Sequence, residues 1–281
     1  MVKVHLFLAL TIAFSALSNH HITIHHKGAE TYQIKKEELF SKDLGYPFYE
    51  ADRVEELMDE VDVTISKSPV NAFIDNQGAI VDGVNGYTLH RDAFRENLLH
   101  SLYRNSSTWL QPDLTILYPK VNAELLSFIR KKQVGGFVTY FKKGNLERTK
   151  NIMLAAEAIN NTVVFPGETF SFNQTVGKRT KEKGYLPAPI IVRGELSEGI
   201  GGGICQVSST LFNAVDQAGV HILERYSHSR SVPYVKPGRD ATVSWYGPDF
   251  SFRNELNQPI LIRAKVIEGS VVIHVYSSED M

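Results

Sequence analysis

Three consecutive glycines, Gly201, Gly202 and Gly203, run directly into Ile204, the chain's single cysteine, Cys205, and an apolar-periodic stretch, in the text SEGIGGGICQVSSTLFNAVDQAG. Glycine reaches backbone conformations that side chains forbid, so such a run marks a tight turn. The stretch behind it places Val207, Leu211 and Ala214 on one face and stops at Gly219, which predicts a helix from Cys205 to about Gln217. Cys205 therefore stands at a helix N-terminus, where free N–H groups and the helix dipole favour a thiolate. The glycines then have two readings. They let backbone approach a substrate and offer N–H groups to an oxyanion, with Gln206 as a further donor, or they only close a strand-to-helix turn. Spacing leaves both open.

The cellular setting of that thiol is written at the other end of the chain. Residues 1–18 read as a signal peptide or N-terminal anchor, with Lys3, an apolar run over 4–17, and small residues at Ala16 and Ser18 for a signal peptidase. The run is shorter than the roughly 20 residues of a spanning helix, which leaves membrane association through this segment open. Export places the protein outside the bacterial cytoplasm, where a lone cysteine cannot form an intrachain disulfide and an exposed thiol needs a reason. No cysteine follows the cleavage site, so lipid attachment there is not that reason. The alternative is a buried, inert cysteine acting as a small hydrophobe. Thirty Lys plus Arg against 31 Asp plus Glu supply no basic field for nucleic acid, which is excluded as a partner. His20, His21, His25 and His26 cluster in NHHITIHHKG, but no carboxylate or cysteine joins them at ligand spacing, so a polar strand or tail is expected and no metal.

The remaining patterning is α+β. A small unit over 27–120 combines a helix around ADRVEELMDEV, strands NAFID and AIVDGVNGYTL joined at Asn76-Gln77-Gly78, a helix with Phe94, Leu98 and Leu102 on one face, and a strand in DLTILYP. A linker helix over 121–132 is expected to break at Gly135-Gly136, with the second domain over 133–281. That domain opens with a helix carrying Ile152, Ala155, Ala156 and Ile159, continues as strand, Pro166-Gly167 turn and strand through TVVFPGETFSFNQTV, and closes after the cysteine helix with strands ATVSWY, DFSFRN, ILIRAKV and VVIHVYS. Glu268-Gly269 predicts a tight hairpin between the last two.

A thiol nucleophile needs a base, and RYSHSRSVPYVKPGRDATVSWYGPDF follows the cysteine helix. His228 in this polar stretch is the better candidate, whereas His221 directly after the helix reads as packing. Asp240 and Asp249 both qualify to orient the imidazole, and spacing does not choose. Arg230 and Arg239 flank the same loop; a guanidinium grips a carboxylate through two parallel hydrogen bonds, although ordinary surface ion pairs are the alternative. Tyr226, Tyr234, Trp245 and Tyr246 either wall a cleft or cover a sheet.

From about 135 to 277 the blocks TVVFPGETFSFNQTVGKRTKEKGY, GGGICQVSSTLFNAV, ERYSHSRSVPYV and GRDATVSW, in this order, resemble a VanW domain, a family named from glycopeptide-resistance clusters. The text VNAFIDNQGAIVDGVNGYTLHRDAF resembles a domain described as peptidoglycan-binding that commonly precedes VanW domains. The first resemblance implies a cell-wall L,D-transpeptidase whose cysteine maps onto Cys205, although the Ser-His-Gly-Cys signature of the better-known L,D-transpeptidases is absent. Cys205 would attack the carbonyl of the third residue of a stem tetrapeptide, expel the terminal D-alanine, and pass the acyl group to an amine of a neighbouring stem as a 3-3 cross-link. In that scheme His228 moves protons, Asp240 orients it and Arg230 holds a stem carboxylate. Gly202, Gly203, Gln206, Ser208, Tyr226 and Arg239 serve the oxyanion or substrate, and peptidoglycan stem peptides are the partner. No cofactor is implied, because one amide replaces another. Two rivals keep the wall but change the chemistry: an NlpC-like cysteine peptidase that delivers the acyl group to water, and a non-catalytic wall-binding protein with a structural Cys205.

Overall fold

The computed structural model describes residues 20–44, 47–192 and 195–279. The expected signal or anchor over 1–18 lies outside the described residues, among which no helix is long and apolar enough to cross a membrane. The architecture is mixed α+β, in two compact units: one runs to Asn71 and resumes over Gly83–Lys120, the other takes Ala72–Asp82 and everything from Val121.

In the first unit the strand His21–His26 lies antiparallel to Ala29–Lys35 and parallel to Thr108–Leu110. Its alternation is that of a half-buried strand: Ile22 and Ile24 point into the core, while His21, Thr23 and His25 alternate with them and are only partly buried. Among the described residues no group of three His, Cys, Asp or Glu side chains is placed to hold a metal ion. Helices Ala51–Ile65 and Arg91–Leu102 close over the sheet, with Val54, Leu57, Met58 and Val61 of one and Phe94, Leu98 and Leu102 of the other in a single apolar cluster.

The second unit is built on a four-stranded antiparallel sheet in the order Lys132–Tyr140, Ser270–Ser277, Ile260–Ile267, Thr162–Val164. Its central strands alternate, so Ile260, Ile262, Ala264, Val271, Ile273 and Val275 share one face, buried against Ile152, Ala155, Ala156 and Ile159 of helix Leu146–Ile159 and Val207, Leu211 and Ala214 of helix Ile204–Gln217. Leu261 on the other face joins Ala72, Ile74, Leu126 and Ile129. The hairpin turns at Glu268 and Gly269, both with positive φ, 46° and 82°, as a two-residue primed turn requires. A second sheet sets Ser251–Arg253 between Thr169–Ser171 and His221–Glu224.

Several elements differ from the sequence reading. Gly135-Gly136 interrupts nothing: both lie inside strand Lys132–Tyr140, and a Cβ on Gly135 would stand 2.1 Å from the Ala214 carbonyl oxygen. Gly135 leaves room for the cysteine helix to pack directly on the strand backbone. The expected linker helix is shorter, Ala123–Ile129, and its Leu126 and Ile129 are buried in the second unit. Residues Phe172–Val176 form a short helix rather than a strand, because the Ser171 hydroxyl accepts from the Gln174 N–H and caps it. ATVSWY forms no strand and keeps only a bridge between Thr242 and Tyr226. His221 is an exposed strand residue, not a packed one. An antiparallel hairpin, Pro187–Val192 with Glu195–Ile200, leads into the glycine run and had no clear pattern in the sequence.

The close approach at Gly135 makes a stability prediction. Gly135→Ala should destabilise the protein by about 1–3 kcal/mol through overpacking, while Gly144→Ala, with nothing within 4 Å of the new methyl, should change it by less than about 0.5 kcal/mol. Urea unfolding of the two variants checks this, and equal midpoints would contradict the packing.

Candidate active site

The turn ahead of Cys205 is shaped by close backbone approach. Gly201 and Gly203 occupy the left-handed region, φ 88° and 106°, and a Cβ on Gly202 would lie 2.6 Å from the carbonyl oxygens of both Ala188 and Pro189. The buried side chain of Asn151 locks this arrangement: its amide donates to the carbonyls of Leu186, 2.9 Å, and Gly202, 3.0 Å, and its oxygen accepts from the Leu186 N–H, 2.8 Å. Gly203 is the N-cap of helix Ile204–Gln217 and supplies no capping side chain. The N–H groups of Gly202, Ile204 and Gln206 are taken by carbonyls of the turn. Those of Gly203 and Cys205 have no hydrogen-bond partner among the described residues.

Cys205 sits in the first turn of that helix, partly buried, with Sγ 3.5 Å from the Val243 carbonyl oxygen and 3.8 Å from Thr242 Oγ1. Burial pushes its thiol pKa up, but a hydrogen bond and the charge of His228 outweigh it and hold the thiol below its ordinary value. Burial likewise pushes His228 down, and the opposing pull of Cys205 and Asp240 leaves the imidazole raised. Both shifts favour a thiolate–imidazolium pair. Asp240 is buried, and its Oδ2 accepts from both the backbone N–H and Nδ1 of His228, each at 2.6 Å. The Asp240 carboxyl is penalised by burial yet held below its ordinary value by those two donors. With Nδ1 engaged by the carboxylate, Nε2 is the ring nitrogen left for the thiol.

The geometry also separates the carboxylates. Asp249 accepts from the N–H groups of Asn173 and Phe250, 2.9 and 2.7 Å, and from the Ser171 hydroxyl, so it ties the short helix in place and does not reach His228.

Other residues expected at the site are placed differently. Gln206 is buried, its amide donating to Thr139 Oγ1 and the Tyr140 carbonyl and accepting from Arg148, which leaves it nothing to offer an oxyanion. Ser208 is buried and donates to the Ala241 carbonyl at 2.6 Å. Arg239 is committed to Asn213 and Asp216, both at 2.7 Å, with its guanidinium over the Phe212 ring. It clamps the loop to the cysteine helix and is not free to grip a substrate. Arg230 is exposed and forms no hydrogen bond or ion pair with a described residue. Tyr226 is exposed, its carbonyl taking the Thr242 N–H at 2.8 Å, which steadies the segment under the thiol. Tyr234 lies partly buried with its hydroxyl held protonated by burial, while Trp245 and Tyr246 face solvent.

Two arginines that the sequence reading missed lie against the glycine turn that presents the thiol, Arg148 beside Gly203 and Arg179 beside Gly201. Arg148 and Arg179 both carry guanidiniums whose pKa is pulled down by burial and drawn back up in part by the charge of Cys205. Arg148 continues the buried face of Leu146–Ile159, one turn before Ile152, and a cation on an apolar stripe was the signal available. Arg179, in the irregular segment after Gly177, carried none.

An α+β unit thus sets a helix-terminal cysteine under the electrostatic influence of a histidine that is hydrogen-bonded to an aspartate, an arrangement able to support nucleophilic thiol chemistry. The family described as VanW like protein matches residues 147–276, and the chain is 51% identical over 258 residues, 92% of its length and 85% of the relative's, to the uncharacterized protein YoaR of Bacillus subtilis (strain 168). The chain belongs to the VanW-like family. It is also 29% identical, over 46% of its length and 49% of the relative's, to the vancomycin B-type resistance protein VanW of Enterococcus faecalis (strain ATCC 700802 / V583). Among solved structures it is similar to an Enterococcus faecium L,D-transpeptidase carrying a cysteine-to-serine substitution, at 11% identity over 68% of this chain and 75% of that one, with a TM-score of 0.29.

The thiol's electrostatics are directly measurable. The pH profile of Cys205 alkylation by iodoacetamide should lie below that of a free thiol, and His228→Ala should move it upward, because the hydrogen bond and charge that chiefly oppose burial are then removed. Coincident profiles for the two proteins would remove His228 from the thiol's environment.

Proposed function

We propose that the chain is a cell-wall acyltransferase working through a Cys205 thioester, and specifically an L,D-transpeptidase that forms 3-3 cross-links between peptidoglycan stem peptides outside the cytoplasm. The observation that carries the reading is the Cys205–His228–Asp240 series behind a turn with two uncommitted N–H groups. Family membership supports the wall as the setting, since the Enterococcus faecalis relative is named for vancomycin resistance. In this reading the thiolate adds to the carbonyl of the third stem residue and the oxyanion is held by the Gly203 and Cys205 N–H groups. The His228 imidazolium gives its proton to the departing amine of the terminal residue, leaving a thioester. The imidazole then takes a proton from the incoming amine as that nitrogen attacks, the new amide forms, and the thiolate returns. Asp240 keeps Nδ1 protonated throughout, as an orienting partner must. The first unit, through its resemblance to a peptidoglycan-binding domain, is read as the module that holds the enzyme on the polymer.

Incubation with purified disaccharide-tetrapeptide, followed by mass spectrometry, tests this. A cross-linked dimer lacking one alanine is expected, absent from the Cys205→Ala variant. A shortened monomer in place of the dimer would make the enzyme a peptidase that delivers the acyl group to water, and identical products with and without Cys205 would exclude both. His228→Ala should slow acylation by about 10²–10⁴-fold, the usual worth of a positioned acid–base group. Asp240→Asn, which leaves the fold's packing in place, should slow it through loss of imidazole orientation.

A further inference from the structure

Arg179, beside the turn that presents Cys205, has a guanidinium held by neighbouring charges and a ring contact but by no hydrogen bond to a described residue. Both terminal nitrogens, Nη1 and Nη2, are shut off from solvent and have no hydrogen-bond partner among the described residues. Its stem lies against the turn that presents the cysteine, where a Cβ on Gly201 would stand 3.3 Å from Arg179 Cβ and Cγ, and its guanidinium carbon sits 5.8 Å from the Phe172 ring centroid. Arg148, its neighbour at the site, differs: Nη2 donates to Gln206 Oε1 at 2.8 Å. The nearby carboxylate, Asp249, is occupied by two backbone N–H groups and a hydroxyl.

Buried guanidinium donors that make no hydrogen bond are disfavoured, and proteins ordinarily satisfy them with a directly paired anion. A planar fork with free donors fits a carboxylate better than any other common anionic group of a peptide. We propose that Arg179 receives a carboxylate of the acyl donor, so that the site takes acidic peptides and discriminates against their amides. This rests on Cys205 being the acyl acceptor only for the position of the peptide. The carboxylate comes either from the peptide's terminus or from an internal acidic residue, and the test distinguishes them.

The full chain carrying Cys205→Ser, which binds without turnover, is titrated calorimetrically with a synthetic stem tetrapeptide, with the same peptide amidated at its terminus, and with the peptide amidated at its internal carboxylates. The free acid is expected to bind about tenfold or more tightly than one of the two amides, and that amide identifies the carboxylate held. Adding Arg179→Gln should erase the preference by weakening the acid alone, and Arg179→Lys should retain part of it, since charge persists but the fork is lost. Circular dichroism verifies folding, and if the glutamine variant is unfolded the lysine variant decides by a several-fold loss confined to the acid. A preference for acid that survives at full size in either folded variant would overturn the proposal, as would equal binding of all three peptides. So would an Arg179→Gln change, in the Cys205-containing chain, that displaces the alkylation profile while peptide affinity in the Cys205→Ser chain stays the same, since the arginine would then serve the thiolate. Because these titrations need no catalysis, an absence of Cys205-dependent product would defeat the proposed reaction while leaving the role of Arg179 to be decided by binding.

Discussion

The buried amide of Asn151 is the constraint on which the site depends. Through three hydrogen bonds it joins the Leu146–Ile159 helix to Leu186, at the foot of the hairpin, and to Gly202 in the turn. The Asn151 amide and the Gly202 carbonyl are bonded out of reach of water, so displacing the turn would leave buried polar atoms unpaired at a cost of about 1–3 kcal/mol each. Gly202 closes the remaining freedom by touching two carbonyls of the hairpin. The cysteine is thus located by polar bonds set inside an apolar cluster, not by the glycines' flexibility.

The opposite wall is fixed by the cysteine helix itself, Ile204–Gln217. Ser208, Ser209 and Asn213 are buried polar residues on its face toward the following loop, and their bonds go to that loop's backbone. Ser208 donates to the Ala241 carbonyl, Ser209 accepts the Ala241 N–H, and Asn213 donates to the Arg239 carbonyl. Arg239 returns the contact through Asn213 and Asp216. These bonds hold residues 239–241 against the helix, which places Asp240 where it takes both N–H groups of His228. One helix therefore carries the thiol at its start and fastens the thiol's partners along its side. The local conflict of serines and asparagine on a buried face is resolved by loop backbone that would otherwise be unsatisfied.

Much of this was readable from residue order. The helices with Ile152 and Ile159, with Phe94 and Leu98, and with Val207 and Leu211 all follow their apolar repeat, and the final hairpin follows Glu268-Gly269. His228 was reached as the histidine in a polar stretch, and the structure sets it beside the thiol. The arginines were misjudged for a physical reason. Arg230 and Arg239 adjoin His228 in the chain, but proximity along a loop says nothing about which way a side chain turns, and one faces solvent while the other clamps a helix. Gln206 shows the same limit: next to the cysteine in sequence, it points to strand Lys132–Tyr140, because successive helical residues project about 100° apart.

The sequence by itself determined the α+β class, the helix that Cys205 begins and the left-handed turn that precedes it, because these follow from periodicity and from the allowed torsions of glycine. Only the tertiary structure chose Asp240 over Asp249, withdrew Gln206 and Ser208 from the substrate, and brought Arg148 and Arg179 to the turn that presents the thiol. Those choices depend on contacts between distant segments, on which buried group finds which partner, and no local pattern encodes that pairing.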